Sequence, residues 1–350
     1  MKVLVGLSGG VDSSMAAALL IEQGHEVVGV TLKLWGGAQD SGCCSVGDVE
    51  DARRVAQQLG IAHHVFNFTD EFDDRVVAPY VADHARGLTP NPCVECNRHL
   101  KFDRLLGRAD HLGFDTIATG HHARIAGGEG RRRLLRGADR AKDQSYVLHM
   151  LGQAQLGRVQ FPVGALTKVE VRERAASLGL RTAAKAESQD TCFITASGGR
   201  EAFLRERIPL QAGRVVDTQG RDLGDIPAVE LVTVGQRRGL GGGSHDRRYA
   251  IAVDVDHSIV VAGSRDELLT SKVAVEAPSW VWDEPSAGSA VEVQMSAHGA
   301  VASAIWDGRG VRFDTPQIRP APGQSLVLYD PVTADEVLGG GIAGSSSPLE

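Results

Sequence analysis

Apolar and polar positions along the first 120 residues follow two alternating patterns. Apolar runs rich in Val and Leu, typical of buried strands, occupy residues 2–7, 26–34, 63–68 and 116–119. Between these runs, residues 48–59 and 72–86 have the spacing of amphipathic helices, the first with Asp48 as its expected cap. Because strands and helices alternate at the spacing of βαβ units, the pattern predicts an α/β fold with a doubly wound parallel sheet.

The pattern changes after about residue 131. The stretch that follows, to about residue 200, has a helical pattern, and a capping box of Thr167 and Glu170 predicts a helix that ends near residue 178. Beyond this stretch, short Val-rich runs broken by Gly, Pro and Asp predict an all-β region. We therefore expect an α/β domain with a helical insert, a small β-rich central domain and a C-terminal β-barrel, at residues 1–200, 201–268 and 269–350.

The first fourteen residues, MKVLVGLSGGVDSS, combine a strand, a glycine-rich turn and the start of a helix. Glycines let backbone amides approach a phosphate closely, and a helix N-terminus adds positive potential, so this junction predicts an anion site. Within it, Asp12 is expected to hold a magnesium ion rather than to touch phosphate. The spacing is neither that of the Walker motif nor GxGxxG. A Ser/Gly-rich turn with serine as the helix cap is the plainer alternative.

Charge and composition narrow the class of protein. A net charge of −7 over 350 residues argues against a protein that coats DNA or RNA, although a local basic patch would still serve a specific RNA. We see no signal-peptide pattern and no apolar run that approaches 18 residues. We therefore expect a cytoplasmic protein with neither a membrane nor a DNA partner.

The five cysteines favour catalytic or metal chemistry over a disulfide framework, because their number is odd and the expected compartment is reducing. Cys93 and Cys96 form a CxxC pair after a turn, and Cys192 lies about a hundred residues further on. A zinc site would need four ligands, and only His99 is close in sequence. A thioredoxin-like pair would need that fold around it. The two remaining cysteines, interpreted as loop or core thiols, are Cys43 and Cys44.

Several motifs in order along the chain resemble those of one family. SGGVDSS, at residues 8–14, is similar to the PP-loop of the ATP pyrophosphatases, which split ATP between its α and β phosphates. Together with further segments along the chain, it resembles the motifs of the bacterial tRNA-specific 2-thiouridylases. These segments are NPCVECNRHLKF, ATGHHAR, KDQSYVL, SQDTCFI, VTVGQRRGLG, PGQSLVLYD and LGGGIA. The resemblance covers essentially the whole chain. It implies a PP-loop domain of the adenine nucleotide alpha hydrolase type, a central domain and a barrel.

This resemblance implies an ATP-dependent tRNA sulfurtransferase. Such an enzyme adenylates the C2 carbonyl oxygen of the wobble uridine in the tRNAs for Lys, Glu and Gln and replaces that oxygen by sulfur. Cys192 matches the cysteine that carries the sulfur as a persulfide, and Cys96 matches the nucleophile that releases it, with a Cys96–Cys192 disulfide as an end state. The implied partners are tRNA and a sulfur-donor protein, either a cysteine desulfurase or a relay protein.

Site residues are carried over by their position in the matched motifs. The expected ATP contacts are Gly6, Leu7, Ser8, Gly9, Gly10, Val11, Asp12, Ser13, Leu32 and Gly120. The residues that match tRNA-facing positions are His121, Lys142, Asp143, Gln144 and Gln324. A dense basic cluster, interpreted as phosphate contacts, comprises Arg131, Arg132, Arg133, Arg136 and Arg140. For the lysine-containing loop, for Gln324 and for each arginine, a merely solvated surface position is the alternative.

Two features depart from the family pattern or leave its chemistry open. Cys93 stands where some members have an Asp that can act as acid or base, so that role is not carried over. Cys93, Cys96 and Cys192 are instead candidate ligands of a [4Fe–4S] cluster with an open iron for sulfide, which leaves a persulfide and a cluster route open. His122 stands where the family often has Tyr. Residues 198–199, a Gly pair, are expected to let the Cys192 segment move.

Two other hypotheses are kept beside this one. A PP-loop adenylating synthetase that acts on a small molecule would account for the first 120 residues, but not for Cys96, Cys192 or the β-rich half. A non-catalytic nucleotide- or RNA-binding module is at odds with an intact Asp12 and paired thiols. A monomer is expected for an enzyme that embraces tRNA.

Overall fold

The structure is a computed structural model that describes residues 1–35, 45–128, 130–186, 191–194, 198–240 and 247–344. Its strands are β1 (Lys2–Gly6), β2 (Glu26–Lys33), β3 (His63–Asn67), β4 (Thr116–Ala118), β5 (Ala123–Ala126), β6 (Arg133–Arg136), β7 (Val159–Gln160), β8 (Gly213–Asp217), β9 (Asp222–Ile226), β10 (Tyr249–Asp254), β11 (Ile259–Gly263), β12 (Leu269–Trp280), β13 (Ala290–Gln294), β14 (Val301–Trp306), β15 (Gly310–Ile318), β16 (Ser325–Tyr329) and β17 (Glu336–Ala343).

The helices lie mostly in the first half of the chain. They are α1 (Val11–Glu22), α2 (Val46–Leu59), α3 (Thr69–Phe72), α4 (Ala78–Ala85), α5 (Pro92–Glu95), α6 (Leu105–His111), α7 (Gln153–Leu156), α8 (Lys168–Ser177) and α9 (Gly199–Arg205). Two π-helical stretches, Asp73–Val77 and Cys96–Arg104, join α3 to α4 and α5 to α6. The 3₁₀ turns are Ser145–Leu148, Val229–Leu231 and Asp266–Leu268.

The first sheet has five parallel strands in the order β3-β2-β1-β4-β7. The chain leaves β1 toward β2 and β3 on one side and returns to β4 on the other. The order therefore reverses between β1 and β4, and ligands bind at this point in doubly wound sheets. The predicted α/β fold with a doubly wound parallel sheet is confirmed.

The apolar run at the start of the chain is continuous because both faces of β1 are buried. Val3 and Val5 pack with apolar residues of α1 and α2, whereas Leu4 points to the opposite face and packs with Leu105 and Ala109 of α6. This burial fixes β1 at the centre of the sheet. The loop that follows β1 therefore lies at the middle of the carboxyl edge.

Two helix starts were predicted from capping residues, with different outcomes. α8 begins at the predicted capping box: Thr167 Oγ1 accepts a hydrogen bond from Glu170 N, and Glu170 Oε2 accepts one from Thr167 N (2.7 Å). The cap predicted for the second helix was wrong. Ser45 Oγ accepts the hydrogen bond from Asp48 N (3.1 Å), so Ser45 is the cap and Asp48 lies inside the first turn.

The second half of the chain is built of strands, as predicted. One sheet has the order β10-β11-β8-β9, with β8 and β11 parallel and the other neighbours antiparallel. Strands β12 to β17 form an antiparallel barrel of six strands that is closed by pairing of β12 with β17. Trp306, Leu326 and Leu328 are buried in its core. The predicted C-terminal barrel is confirmed.

The stretch directly after residue 131 was predicted as helical, and this was wrong. Strands β5 and β6 form a hairpin, and β6 pairs with β17 through Leu135↔Glu336 and Leu134↔Val337. Leu134 is fully buried in a core that includes Val337, which explains why the apolar pair of this segment lies in a strand. A segment of the first 200 residues thus extends the barrel sheet.

The boundaries proposed at residues 200 and 268 stay predictions. Within the described residues, no helix has both the length and the apolar character that crossing a membrane requires.

Candidate active site

The glycine-rich loop between β1 and α1 is held in one conformation by its own side chains. Ser13 Oγ accepts a hydrogen bond from Ser8 N (3.1 Å) and donates one to Gly10 O (3.1 Å). Gly9 has a φ of +73°, and a Cβ at this position would clash with the carbonyl oxygen of Asp48, so the position requires glycine. The loop therefore presents the first amides of α1 at the edge of the sheet, an arrangement suited to phosphate.

A second loop packs against this one from the end of β4. A Cβ at Gly120 would lie 2.5 Å from Ser13 N, so glycine permits the close approach of the two backbones. His121 and His122 follow directly and are thereby set beside the glycine-rich loop.

The carboxylate of Asp12, in the first turn of α1, is engaged by two basic side chains. Lys168 Nζ donates hydrogen bonds to Oδ1 (2.8 Å) and Oδ2 (2.7 Å), and His122 Nε2 lies 3.0 Å from Oδ1. Burial raises the pKa of Asp12, but the hydrogen bonds from His122 and Lys168 outweigh it and hold the pKa below its ordinary value. Asp12 is therefore ionised and holds a lysine at the loop.

A second lysine ties the loop to α2. Lys185 Nζ donates hydrogen bonds to Gly9 O (3.0 Å), Asp48 Oδ1 (2.6 Å) and Asp51 Oδ2 (2.7 Å). Burial lowers the pKa of Lys185, but the hydrogen bonds to the two carboxylates raise it above its ordinary value. Lys185 thus connects the glycine-rich loop to the chain that leads toward Cys192.

Sequence reasoning missed both lysines as site residues. The capping box identified the start of α8, but only as a helix boundary. One signal was present: a cation in the first turn of a helix opposes the helix dipole, so Lys168 is unfavourable there unless it has another partner.

Three cysteines lie around the same cavity. Cys93 is exposed in α5, where its backbone N donates to Asn91 Oδ1 (3.1 Å). Cys96 is buried at the start of the following π-helical stretch, and Cys192 is half-buried. All three are thiols rather than disulfide sulfurs in the structure. The other two cysteines, Cys43 and Cys44, lie outside the described residues.

The segment that carries Cys192 is anchored by the next residue. Phe193 is buried, with ring centroids 5.7 Å from Phe72, 5.3 Å from Tyr80 and 5.1 Å from Phe203. Cys96 belongs to the same apolar cluster. Aromatic packing therefore holds two thiols in one region although they are 96 positions apart in sequence.

The loop, the lysines and the thiols line one cavity of about 420 Å³, a size typical of ligand sites. The predicted residues that line it are Gly6, Leu7, Ser8, Gly10, Val11, Asp12, Ser13, Leu32, Cys93, Cys96, Gly120, His121, Lys142, Gln144 and Cys192. The predicted residues outside the lining are Gly9, Asp143 and Gln324. Gly9 is buried in the loop itself, so the structure brings nearly the whole predicted ATP set together with the thiols.

The predicted tRNA residues at the cavity differ in character. His121 is buried between Phe102 and Phe161, with its Nδ1 2.8 Å from Thr119 Oγ1. Burial lowers the pKa of His121 well below its ordinary value, so the ring is neutral. Gln144 is exposed, and its Oε1 accepts a hydrogen bond from His122 N (2.9 Å).

Asp143 is turned away from the cavity and organises the loop. Its carboxylate accepts hydrogen bonds from Gly137 N (2.9 Å), from Ser145 N and Oγ (3.0 and 2.9 Å) and from Arg136 Nη1 (3.1 Å). Because these donors occupy the carboxylate oxygens, the position of Asp143 favours a role in shaping the loop over direct contact with tRNA.

Gln324 lies at the barrel, apart from the other predicted tRNA residues. Its Nε2 donates to Thr89 O (2.5 Å), and Thr89 N donates to Pro322 O (2.7 Å). Gln324 therefore joins the barrel to the turn that precedes Cys93.

The interpretation of the arginine cluster as phosphate contacts stays a prediction, and the structure shows that most of the cluster is ion-paired. Four of its five arginines pair with carboxylates: Arg131–Glu336 (2.6 Å), Arg133–Glu336 (3.6 Å), Arg136–Asp143 (3.1 Å) and Arg140–Asp335 (2.9 Å). The charge of the cluster is thus largely neutralised, and three of these pairs hold the β5–β6 region to the barrel.

The predicted metal groups do not fit the site as it stands. A magnesium ion on Asp12 would have to displace the ammonium of Lys168, which binds both carboxylate oxygens. Across residues 1–344, leaving aside the stretches that are not described, no three His, Cys, Asp or Glu side chains are grouped as metal ligands. This includes the three cysteines, which share a cavity without forming the ligand set of an iron–sulfur cluster. His99 lies beside Glu95 instead (3.2 Å), which does not support zinc.

Comparison with known proteins gives consistent matches over the chain. Residues 1–196 match the family described as tRNA methyl transferase HUP domain, and residues 270–343 match the aminomethyltransferase beta-barrel domain. Proteins named tRNA-specific 2-thiouridylase MnmA are similar throughout: that of Chloroflexus aurantiacus is 48% identical over 97% of both chains. That of Mycobacterium bovis is 46% identical over 99% of this chain and 97% of its own.

One solved structure overlaps only in part. A 4-thiouridine synthetase in complex with RNA and ATP covers 55% of this chain and 44% of its own, with 19% identity and a TM-score of 0.37. These values are too low to carry an argument.

Proposed function

The chain belongs to the family of tRNA-specific 2-thiouridylases, which are tRNA sulfurtransferases, and from this we propose how it thiolates tRNA. ATP adenylates the C2 carbonyl oxygen of the wobble uridine in the tRNAs for Lys, Glu and Gln, and pyrophosphate leaves. Sulfur then replaces the adenylated oxygen. The products are 2-thiouridine, AMP and pyrophosphate.

One observation carries this proposal: the glycine-rich loop and the thiols of Cys96 and Cys192 line the same cavity. A small-molecule synthetase would need the loop but not the two thiols. An enzyme that activates an oxygen with ATP and then delivers sulfur needs both groups beside one substrate atom.

ATP fits the phosphate-binding side of this cavity. The loop supplies amides, and Lys168, which Asp12 holds in the cavity lining, supplies an ammonium group for the phosphates. Lys185 acts by holding the loop, since its three donors bind Gly9 O, Asp48 and Asp51. Preorganised donors and cations of this kind stabilise the negative charge that moves to the departing pyrophosphate. Leu32, at the end of β2, offers an apolar wall for the base.

The sulfur transfer uses the two thiols in succession. A donor protein loads Cys192 as a persulfide, and the thiolate of Cys96 attacks the sulfur that is bonded to the Cys192 side chain. The sulfur–sulfur bond of the persulfide breaks, hydrosulfide leaves, and a Cys96–Cys192 disulfide forms; the outer sulfur is reduced, the Cys96 sulfur is oxidised, and the Cys192 sulfur keeps its oxidation state. Hydrosulfide adds to C2 of the uridine, and AMP leaves with the former carbonyl oxygen. A dithiol reductant then restores both thiols.

The residues around the cavity entrance fit a nucleic-acid substrate. Lys142 and Gln144 line the cavity and follow the ion-paired hairpin, and this position supports the proposal that they contact the anticodon arm. Asp143 and Gln324 support tRNA binding indirectly, because their polar groups bind other atoms of the protein and so hold neighbouring residues in place. The enzyme acts in the cytoplasm as a monomer.

The test is a thiolation assay on unmodified tRNA for Glu, with ATP, magnesium and a persulfide donor. Three variants are compared: Cys192→Ser, Cys96→Ser and Cys93→Ser. We expect loss of 2-thiouridine in the first two and retention in the third, because the persulfide route uses only Cys96 and Cys192. Sulfur-dependent gel retardation of the tRNA measures the product.

The assay is run on enzyme purified in air without metal and on enzyme purified without oxygen in the presence of iron and sulfide. Product from the first preparation supports the persulfide route. Product only from the second, together with loss in Cys93→Ser, would replace it by the cluster route. Pyrophosphate release with a small acid or amide and no thiolated tRNA in either preparation would contradict the proposed function itself.

A further inference from the structure

Two arms of the central region carry four arginines, which together we name the arginine turn: Arg237, Arg238, Arg247 and Arg248. Backbone hydrogen bonds run from Gly235 N to Ala250 O (2.8 Å) and from Ala250 N to Gln236 O (2.9 Å). These bonds join the two arms of the segment. Two pairs of arginines that are nine or more positions apart in sequence therefore belong to two arms that are joined by backbone hydrogen bonds.

The backbone of the turn is held without help from the arginine side chains. Gln236 Oε1 accepts a hydrogen bond from Thr233 N (3.2 Å), and Gln236 Nε2 donates one to Arg238 O (2.8 Å). Leu240, directly after the first arm, is buried in the core of the β8–β11 sheet. The local fold therefore depends on Gln236 and Leu240, whereas the four guanidinium groups form no hydrogen bond or ion pair with the part of the chain that the structure describes.

The four guanidinium groups form no ion pair with any residue in the described part of the chain, and three of the four arginines are exposed. The arginines after residue 130 differ, because Asp335, Glu336 and Asp143 neutralise most of them. Four such guanidinium groups on two paired arms concentrate positive charge locally in a chain with a net charge of −7. It indicates an anionic partner.

The turn begins beside the apolar cluster that holds the thiols. Leu231 packs in this cluster with Phe193 and Cys96. Arg200 of α9 connects the two regions, since its Nη2 donates to Leu231 O (2.7 Å) and its Nη1 to Thr233 Oγ1 (3.3 Å). A polyanion whose base enters the cavity would therefore have its backbone close to this face.

We propose that the arginine turn binds the phosphate backbone of tRNA while the wobble uridine is in the cavity. This inference rests on the proposed function. Arginine is suited to phosphate because its planar fork makes two parallel hydrogen bonds. The arginine turn would thus make the phosphate contacts that the sequence suggested for the ion-paired cluster at residues 131–140.

The test measures binding of fluorescent tRNA for Glu to the full-length protein between 50 and 300 mM salt. The variants are R237Q/R238Q and R247Q/R248Q. The matched control is R309Q/R312Q, which removes two exposed barrel arginines that also form no ion pair with a described residue. Each phosphate contact contributes roughly 0.7–0.9 to the slope of log Kd against log salt. We expect each turn variant to lose about 1.4–1.8 of this slope and about tenfold in affinity near 100 mM salt.

The control variant is expected to keep the slope of the wild type. Equal losses in the control and the turn variants would overturn the inference, because net charge alone would then explain the effect. An unchanged slope would overturn it too. If sulfur transfer from the donor protein fell while tRNA binding did not, the turn would be the docking site of that protein instead.

The inference and the proposed function fail in different ways. A wild-type protein that forms no 2-thiouridine would contradict the proposed function. A wild-type protein that forms it, with turn variants that bind tRNA normally, would contradict only the arginine turn. The melting temperature of each variant serves as the check on folding, and it should not change, since the side chains make no contact that the fold needs.

Discussion

At the scale of single residues, the main finding concerns the partners of Asp12. The sequence suggests a magnesium ligand, but in the structure the carboxylate binds Lys168 and His122. A loop aspartate and a lysine 156 positions later thus form one charged unit at the phosphate-binding edge. We therefore predict that Asp12 influences ATP binding through the lysine that it holds.

We predict that Lys168→Met weakens ATP binding about tenfold or more, because a cation at the phosphates is lost and the carboxylate of Asp12 keeps only His122 as partner. Asp12→Asn should also weaken binding, since Lys168 is no longer held in place. The double variant should be no worse than Lys168→Met, which corresponds to a coupling free energy of about 1–3 kcal/mol. Equilibrium binding of ATP to the four proteins measures this cycle.

The binding experiment is repeated in the presence of a chelator. If Asp12 acted by holding magnesium, the effect of Asp12→Asn would vanish without the metal, whereas we expect it to persist. Lys2→Met is the control for the loss of one positive charge, because Lys2 is exposed at the start of β1, at the opposite edge of the sheet. It should bind ATP like the wild type.

At the scale of elements, the loop with Lys142 and Gln144 is positioned by the barrel. Tyr329 of β16 lies in a buried network, with its hydroxyl 3.1 Å from both Ser145 Oγ and Gln294 Oε1. The guanidinium of Arg136 stacks on the Tyr329 ring (3.8 Å) and donates to Asp143 and Gln294. The network joins β6, the loop and two barrel strands, so the loop conformation depends on the docked barrel.

We predict that Tyr329→Phe costs about 1 kcal/mol in the free energy of unfolding, the typical value of one buried hydrogen bond. The ring and its contact with Arg136 remain. Because the loop loses one anchor, kcat/KM for tRNA should fall severalfold while KM for ATP stays unchanged. Steady-state kinetics with each substrate varied in turn provide the measurement.

Tyr146→Phe is the matched variant for this prediction. Tyr146 is also buried, and its hydroxyl donates to Ser325 O (2.7 Å) in the barrel, but it does not touch Asp143 or Gln294. It should lose similar stability with a smaller effect on tRNA. Equal kinetic effects would mean that barrel docking in general matters, and not the network around Asp143.

At the scale of the whole molecule, neutral histidines are buried at three places where segments distant in sequence pack against each other. His121 lies at the active site, and His149 packs against Gly340 of the barrel. His84, in α4, stacks on Tyr80 (4.6 Å) on the side where α4 meets the central region. Burial lowers the pKa of His84 and of His149 to about 4 each. The folded protein therefore binds protons less readily than the unfolded chain.

We predict that the free energy of unfolding falls as the pH is lowered from 7 to 5. The folded pKa values lie below the ordinary value of 6.5, so the unfolded chain takes up protons first, and stability that is complete above pH 6.5 is lost toward pH 4. Each of the two histidines contributes about 2 kcal/mol to this loss. Denaturant unfolding at both pH values measures it.

Gln substitutions identify the groups responsible. His84→Gln and His149→Gln should each reduce the pH-dependent loss by about 2 kcal/mol, because glutamine does not titrate. His298→Gln replaces an exposed histidine and should leave the loss unchanged. A full loss that persists in both buried variants would show that other groups dominate acid unfolding.

The sequence by itself determined the features that depend on local order. The apolar run of β1 and the capping box of α8 specify their elements through neighbours in the chain, so the strand and the helix start were predicted correctly. The glycines of the loop likewise fix a local conformation, and the anion site stays a prediction. The motifs in their order identified the family, and with it Cys96 and Cys192.

Only the tertiary structure decided which distant side chains neutralise one another. Whether an arginine at residues 131–140 faces solvent or a carboxylate depends on Asp335 and Glu336, which β17 brings alongside β6 from about 200 residues away. The ion pair of Lys168 with Asp12 likewise depends on the fold, which brings two residues that are far apart in sequence together. Such ion pairs depend on separation in space, which the spacing of residues along a chain does not encode. Most of the predicted arginine cluster is therefore paired, whereas the arginines of the central region form no ion pair with a described residue.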